Sequence, residues 1–110
     1  MERSGNMKIV AITACPTGIA HTYMAAEALE KAAKKMGHTI KVETQGSIGI
    51  ENKITLKEIS EADFAIFAVD IGVKEENRFK GKEIYRFDPG KAIKNAKLII
   101  EEAVKMFNSR

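Results

Sequence analysis

Thr13-Ala14-Cys15-Pro16-Thr17-Gly18-Ile19-Ala20-His21-Thr22 joins an apolar, strand-like run, Ile9 to Ile12, to a long alanine-rich pattern of helical period. It contains the chain's single cysteine. With Ile9 to Ala14 as a strand and a helix opening near Thr17 to Ala20, the Cys15 sulfur lies beside the helix's first unpaired N–H groups, which need a partner. The helix dipole adds roughly half a positive charge at that point. An anion is therefore favoured there, whether the thiolate itself or a phosphoryl group bound to it. Gly18 lets the backbone fold close around such an anion, while Thr17, Thr22 and His21 offer side-chain donors. The stretch reads as a phosphate cradle, Pro16 to Thr22, with a nucleophile on its floor.

Working outward, Lys8 to Thr13 is largely apolar and suits a strand buried on both faces. From Ala20 to Met36 the period is helical, with Ala25, Leu29, Ala32 and Met36 in one stripe and Gly37 placed to end it. Thr39 to Glu43 alternates as a half-exposed strand and runs into a turn-rich loop, Thr44 to Gly49. Thr55 and Glu58 make a capping box for a short helix to about Ala62. Phe64 to Val69 is a continuous apolar run, the best centre for a sheet. A charged connection from Asp70 to Lys82 follows, with one helical turn near Glu75 to Phe79. Glu83 to Phe87 alternates as a fourth strand, and Asp88-Pro89 opens a last helix to about Phe107.

Strands alternating with helices predict a single α/β domain: a four-stranded parallel sheet with helices on both faces. The first and third strands look doubly buried and the other two one-sided, which predicts the order 2-1-3-4. The switch point then falls between the first and third strands, beside the carboxyl end where Cys15 sits. The phosphate loop is expected between the first strand and the first helix.

Composition narrows the function. The chain has 110 residues, 45% hydrophobic and 30% charged, an ordinary globular balance, and a formal charge of +3 with lysines spread over helical faces. That is not the footprint of a nucleic-acid binder. No apolar run is long enough to span a bilayer. One cysteine permits no internal disulfide, and two distant histidines offer no zinc spacing, so neither a metal nor a cofactor is expected, and the default setting is reducing and intracellular. Residues 1–6 are polar and read as a tail or linker, leaving 7–108 as the domain.

A lone cysteine is more often inert packing than a nucleophile. Here the strand end, the helix start, Pro16, Gly18 and two threonine hydroxyls favour an acidified thiol. Two chemistries fit a thiolate in a phosphate cradle. Tyrosine phosphatases of the low-molecular-weight type use Cys-x5-Arg-Ser/Thr, whereas this chain has Cys15-x5-His21-Thr22 and lacks the clamp arginine. A relay that stores the phosphoryl group is the other. A non-catalytic anion-binding module with a buried Cys15 is a third reading, from outside enzymology.

Cys15 to Thr22, then Val42-Glu43-Thr44-Gln45-Gly46-Ser47, then Ala68-Val69-Asp70, then Arg78-Phe79 and Gly81-Lys82, resemble the fructose-type IIB domain of the bacterial phosphoenolpyruvate-dependent sugar phosphotransferase system, from Met7 to about Phe107. The resemblance implies a protein-phosphohistidine–sugar phosphotransferase. A phosphohistidine on a IIA domain is the donor, Cys15 becomes a phosphocysteine, and the group passes to a fructose-like sugar on the membrane-embedded IIC domain. It implies a cytoplasmic domain held at the inner membrane face through IIC, with no span of its own. Gln45, Asp70 and Arg78 are supporting candidates: Gln45 as a neutral donor, Asp70 as a residue at the site edge, Arg78 as a cation for the donor or the phosphoryl group. Each also has a plain reading, as a turn residue, a loop cap and a solvated loop charge.

Overall fold

The computed structural model describes residues 6–14, 19–46, 49–70 and 72–110, the side chains of residues 19–21 excepted. The strand expected first is β1, Lys8–Ala14, buried from Ile9 onward. It is buried because it is paired on both sides, in parallel with β2 (Thr39–Gly46) and with β4 (Phe64–Val69). Between β1 and β2 runs α1, Ile19–Lys35. A Schellman arrangement ends α1: Gly37 sits at φ +82°, its N–H donating to the Lys34 carbonyl at 3.1 Å and the His38 N–H to the Ala33 carbonyl at 2.9 Å.

Past β2 the structure departs from the four-stranded parallel expectation. Gly49–Glu51 forms a short strand, β3, antiparallel to β2, so the sheet is five-stranded and mixed, in the order β3-β2-β1-β4-β5, with β5 at Ile84–Phe87. The stretch expected as loop therefore supplies strand at both ends: Thr44 to Gly46 extend β2, and Gly46 pairs with Gly49. Gly49 holds φ +108°, open in practice only to glycine. Ser47 and Ile48 lie outside the described residues. β2 is also less exposed than its alternation suggests, because Val42, Glu43, Thr44 and Gln45 are all buried.

The remaining elements follow their local signals. Thr55 and Glu58 form the capping box of α2, Leu56–Glu61, each side chain accepting from the other's backbone N–H. A 3₁₀ turn covers Glu76–Phe79, and β5, Ile84–Phe87, pairs in parallel with β4. Asp88 caps α3, Pro89–Asn108, with Pro89 in its first turn. α3 is not the single smooth helix its stripe suggests. Asn95 leaves helical geometry at φ −153°, ψ 66°, and its Oδ1 accepts the Leu98 N–H at 3.2 Å, recapping the second half.

Two cores flank the sheet. On one face Leu29 and Ala33 of α1 and Ile99, Ile100 and Ala103 of α3 pack on Ile9, Phe64 and Ile66. On the other, Ile12 and Phe67 meet Ile54, Ile59 and Phe79, with the Phe67 and Phe79 rings edge-on at 5.0 Å. Each such buried Leu, Ile or Phe side chain contributes about 1.5–3 kcal/mol. The second face has only the six residues of α2 as helix cover, so the 3₁₀ turn is needed to close it. Met7, fully buried, belongs to the first core, and its N–H donates to His38 Nδ1 at 3.1 Å.

Candidate functional site

The carboxyl ends of the three central strands are in register: Ala14 stands opposite Gln45 on β2 and opposite Val69 on β4. The chain leaves β1 at this edge and re-enters regular structure at Ile19, so Cys15 to Gly18 connect the two. The expectations placed on Cys15, Pro16, Thr17 and Gly18 fall outside the described residues. Ile19, Ala20 and His21 form the first turn of α1 by their backbone; their side chains, the His21 ring included, likewise fall outside. No acidic residue stands in that first turn.

Thr22 is buried, and its carbonyl accepts a hydrogen bond from the equally buried Thr13 hydroxyl at 3.0 Å. The bond ties the end of β1 to the beginning of α1. The sequence reading missed Thr13; a hydroxyl among the apolar residues of a central strand was its only signal. The next residue, Tyr23, hydrogen-bonds through its hydroxyl to the Glu51 carboxylate, linking α1 to β3. That bond, with smaller contributions from burial and the Glu51 charge, raises the Tyr23 pKa.

Gln45 and Arg78 meet at the neighbouring strand end, though not as groups directed at a ligand. Arg78 forks onto Glu43, Nη1 to Oε1 at 2.8 Å and Nη2 to Oε2 at 2.9 Å. Its Nη1 also donates to the Ile54 carbonyl and its Nε to the Glu75 carbonyl, both at 2.8 Å. Glu43 further accepts the Ile54 N–H at 2.8 Å and Gln45 Nε2 at 2.7 Å. Gln45 clasps the Lys74 backbone at both groups, donating to its carbonyl at 3.1 Å and accepting its N–H at 2.8 Å.

Burial pushes the Glu43 carboxyl up, but hydrogen bonds from Arg78, Ile54 and Gln45, and the Arg78 charge, together hold it below the ordinary carboxylate value. The hydrogen bonds to Glu43 raise Arg78 against the opposing effect of burial. Arg78 is thus neither a solvated loop charge nor a free cation, and Gln45 is more than a turn residue. Glu43 stands in the second motif of the resemblance, but its pairing with Arg78, 35 positions away, is not legible in the sequence. Asp70 follows β4 at the same edge and is exposed.

Among the described residues no group of His, Cys, Asp or Glu could hold a metal, and no helix is long and apolar enough to cross a membrane. One open groove, between the helices, is lined by Lys31, Lys34, Lys35, Met36 and Lys97.

The mixed α/β sheet reverses its strand order beside β1, and sites in such sheets gather at the carboxyl edge of that switch point. Residues 10–102 match the family described as the PTS system, lactose/cellobiose-specific IIB subunit, and the chain belongs to that IIB family of the phosphotransferase system. Within it, the similar proteins are of fructose type. The chain is 56% identical over 95 residues to the PTS system fructose-like EIIB component 2 of Escherichia coli, covering 86% of this chain and 90% of that protein. It is 52% identical over 104 residues to the fructose-like PTS system EIIBC component of the same organism, covering 93% of this chain but 21% of that longer protein. Among solved structures, a domain of the fructose-specific IIABC component of Borrelia burgdorferi is 50% identical with a TM-score of 0.83, covering 94% of this chain and 96% of that one. The enzyme IIB subunit of the PTS system from Escherichia coli is 43% identical with a TM-score of 0.87, again covering 94% and 96%. The protein is thus a phosphoryl-relay domain of the fructose type.

Proposed function

We propose that the relay runs through Cys15: it accepts a phosphoryl group from a IIA phosphohistidine and hands it to a fructose-like sugar held by a IIC domain. The supporting observation is the junction itself, where β1 ends at Ala14, α1 begins at Ile19, and Cys15 lies between them at the switch point. The Cys15 thiolate attacks phosphorus, the S–P bond forms as the N–P bond breaks, and the departing imidazole nitrogen takes back a proton. In the second step a sugar hydroxyl attacks the same phosphorus, loses its proton, and releases the thiolate. A phosphoryl group carries about two negative charges near neutrality. In this reading the backbone N–H groups from Thr17 to Thr22, with the α1 dipole, supply the stabilisation, and no carboxylate in the first turn of α1 opposes it.

The domain, residues 7–108 with 1–6 as a tail, works in this reading on the cytoplasmic side, brought to the membrane by IIC. A relay must keep its thiophosphate from water, which fits the absence of an arginine six positions after Cys15, where His21 stands. Arg78 does not substitute for it, being gripped by Glu43.

The test is incubation with IIA carrying radiolabelled phosphohistidine. Label retained on Cys15 and absent from Cys15→Ser is the expected result. Rapid release of inorganic phosphate would make the protein a phosphatase, and reversible binding unaffected by Cys15→Ser would make it a simple anion-binding module.

A further inference from the structure

We infer that Gln45 is a positioning residue for this transfer: with Glu43 and Arg78 it latches the connection after β4 against the carboxyl edge of the sheet, forming one wall of the phosphoryl site. The inference rests on the Cys15 reading and goes beyond it, by assigning work to side chains that touch neither donor nor phosphate.

Three observations carry it. The first is placement. Gln45 stands opposite Ala14 in the β1–β2 register, and Ala14 immediately precedes Cys15. The second is the target of the bonds. Arg78 reaches the Lys74 and Glu75 carbonyls, and Gln45 holds both backbone groups of Lys74, so the network grips main chain instead of filling space. Through Ile54, whose N–H meets Glu43 and whose carbonyl meets Arg78, the connection between β3 and α2 is tied in as well. The third is strain at the gripped segment. Glu75 sits in the left-handed region at φ 57°, ψ 35°, unusual for a residue with a side chain, and its carbonyl accepts both the backbone N–H and the Nε of Arg78. Such a conformation persists where surrounding bonds over-determine it.

A core needing only apolar closure would not require a buried carboxylate, a guanidinium and an amide, each fully hydrogen-bonded. Every buried side-chain nitrogen and oxygen among the described residues has a partner. The arrangement fixes the distance between the segment after β4 and β2, the neighbour of the strand that leads into Cys15, and a phosphoryl transfer depends on such distances being held.

Gln45→Met keeps the length of the side chain and removes its bonds to Glu43 and Lys74. In wild-type protein the Lys74 amide and the rate of Cys15 labelling by phosphorylated IIA are measured first; wild type that takes no label overturns the Cys15 reading itself, and with it this inference. Given labelling, Gln45→Met is expected to exchange the Lys74 amide about tenfold faster. Its labelling rate at saturating donor should fall by about tenfold, while the donor concentration for half-maximal rate changes by less than about threefold. Wild-type labelling with a deprotected Lys74 amide overturns the positioning role, and so does a Lys74 amide that stays protected. Should Gln45→Met fail to fold, Arg78→Lys, which keeps the charge but loses the fork, is read by the same two measurements and the same outcomes.

Discussion

Arg78 holds Glu43 through two parallel bonds, 2.8 and 2.9 Å long, with the Glu43 side chain fully buried and that of Arg78 9% exposed. A pair removed this far from water is strongly asymmetric: intact, it contributes modestly, but either half alone is costly. Arg78→Ala should therefore destabilise the fold by about 3–5 kcal/mol, read from the urea midpoint near neutral pH. Replacing both members with apolar residues of similar volume should recover much of the loss. An Arg78→Ala protein as stable as wild type would mean that water reaches Glu43 freely.

The same pair sets a pH dependence. Glu43 titrates below its ordinary value of 4.5 in the folded protein, so the stability it contributes is fully present above that value and disappears as pH falls through the folded pKa. Wild type should lose stability in this acidic window more steeply than Glu43→Gln. Arg78→Met removes the fork and the charge that help hold the Glu43 carboxyl down, so its pKa rises from the wild-type value. Its deficit relative to wild type should shrink on acidification from about pH 7 to about pH 4, as the orphaned carboxylate takes up a proton. Urea midpoints across that range check both slopes.

How much of this was legible beforehand depended on how far apart the cooperating residues lie. Thr55 with Glu58, and Asp88 with Pro89, are local signals that define helix starts within one turn, and both caps form. The apolar run Phe64 to Val69 could be read as a central strand because burial on both faces erases alternation. β3 was not legible, since Gly49-Ile50-Glu51 is too short for a period and owes its pairing to the tight return between Gly46 and Gly49. For the site, strand order and switch point led to the carboxyl edge where β1 ends, and Cys15 itself lies outside the described residues. The Glu43–Arg78 pair was not legible for the opposite reason: charge suggests solvent, and only the folded chain brings the two under cover.

Asn95 tests whether the break in α3 is built by its side chain. In a continuous exposed helix, Asn→Ala would gain roughly 0.5 kcal/mol from propensity. Here the Asn95 Oδ1 caps the second half by accepting the Leu98 N–H. Asn95→Ala is therefore expected to cost about 1 kcal/mol. A gain on thermal or urea unfolding would show that the kink is imposed by packing on Phe64 and Ile66 alone.

Thr13 connects stability to chemistry. Its hydroxyl donates to the Thr22 carbonyl at 3.0 Å in a buried position, joining the two elements on either side of Cys15 to Gly18. Thr13→Val keeps the shape and deletes the bond, a loss of about 0.5–1.5 kcal/mol. The larger consequence falls on transfer, because displacement of about 1 Å at a reacting centre can reduce a rate by ~100-fold. Thr13→Val should slow Cys15 labelling by roughly tenfold while remaining folded, and Thr13→Ser, which restores the hydroxyl, should recover most of the rate. If Thr13→Val loses stability but labels at the wild-type rate, the bond braces the sheet without setting the loop, and the geometry of the site is held by the β2 edge instead.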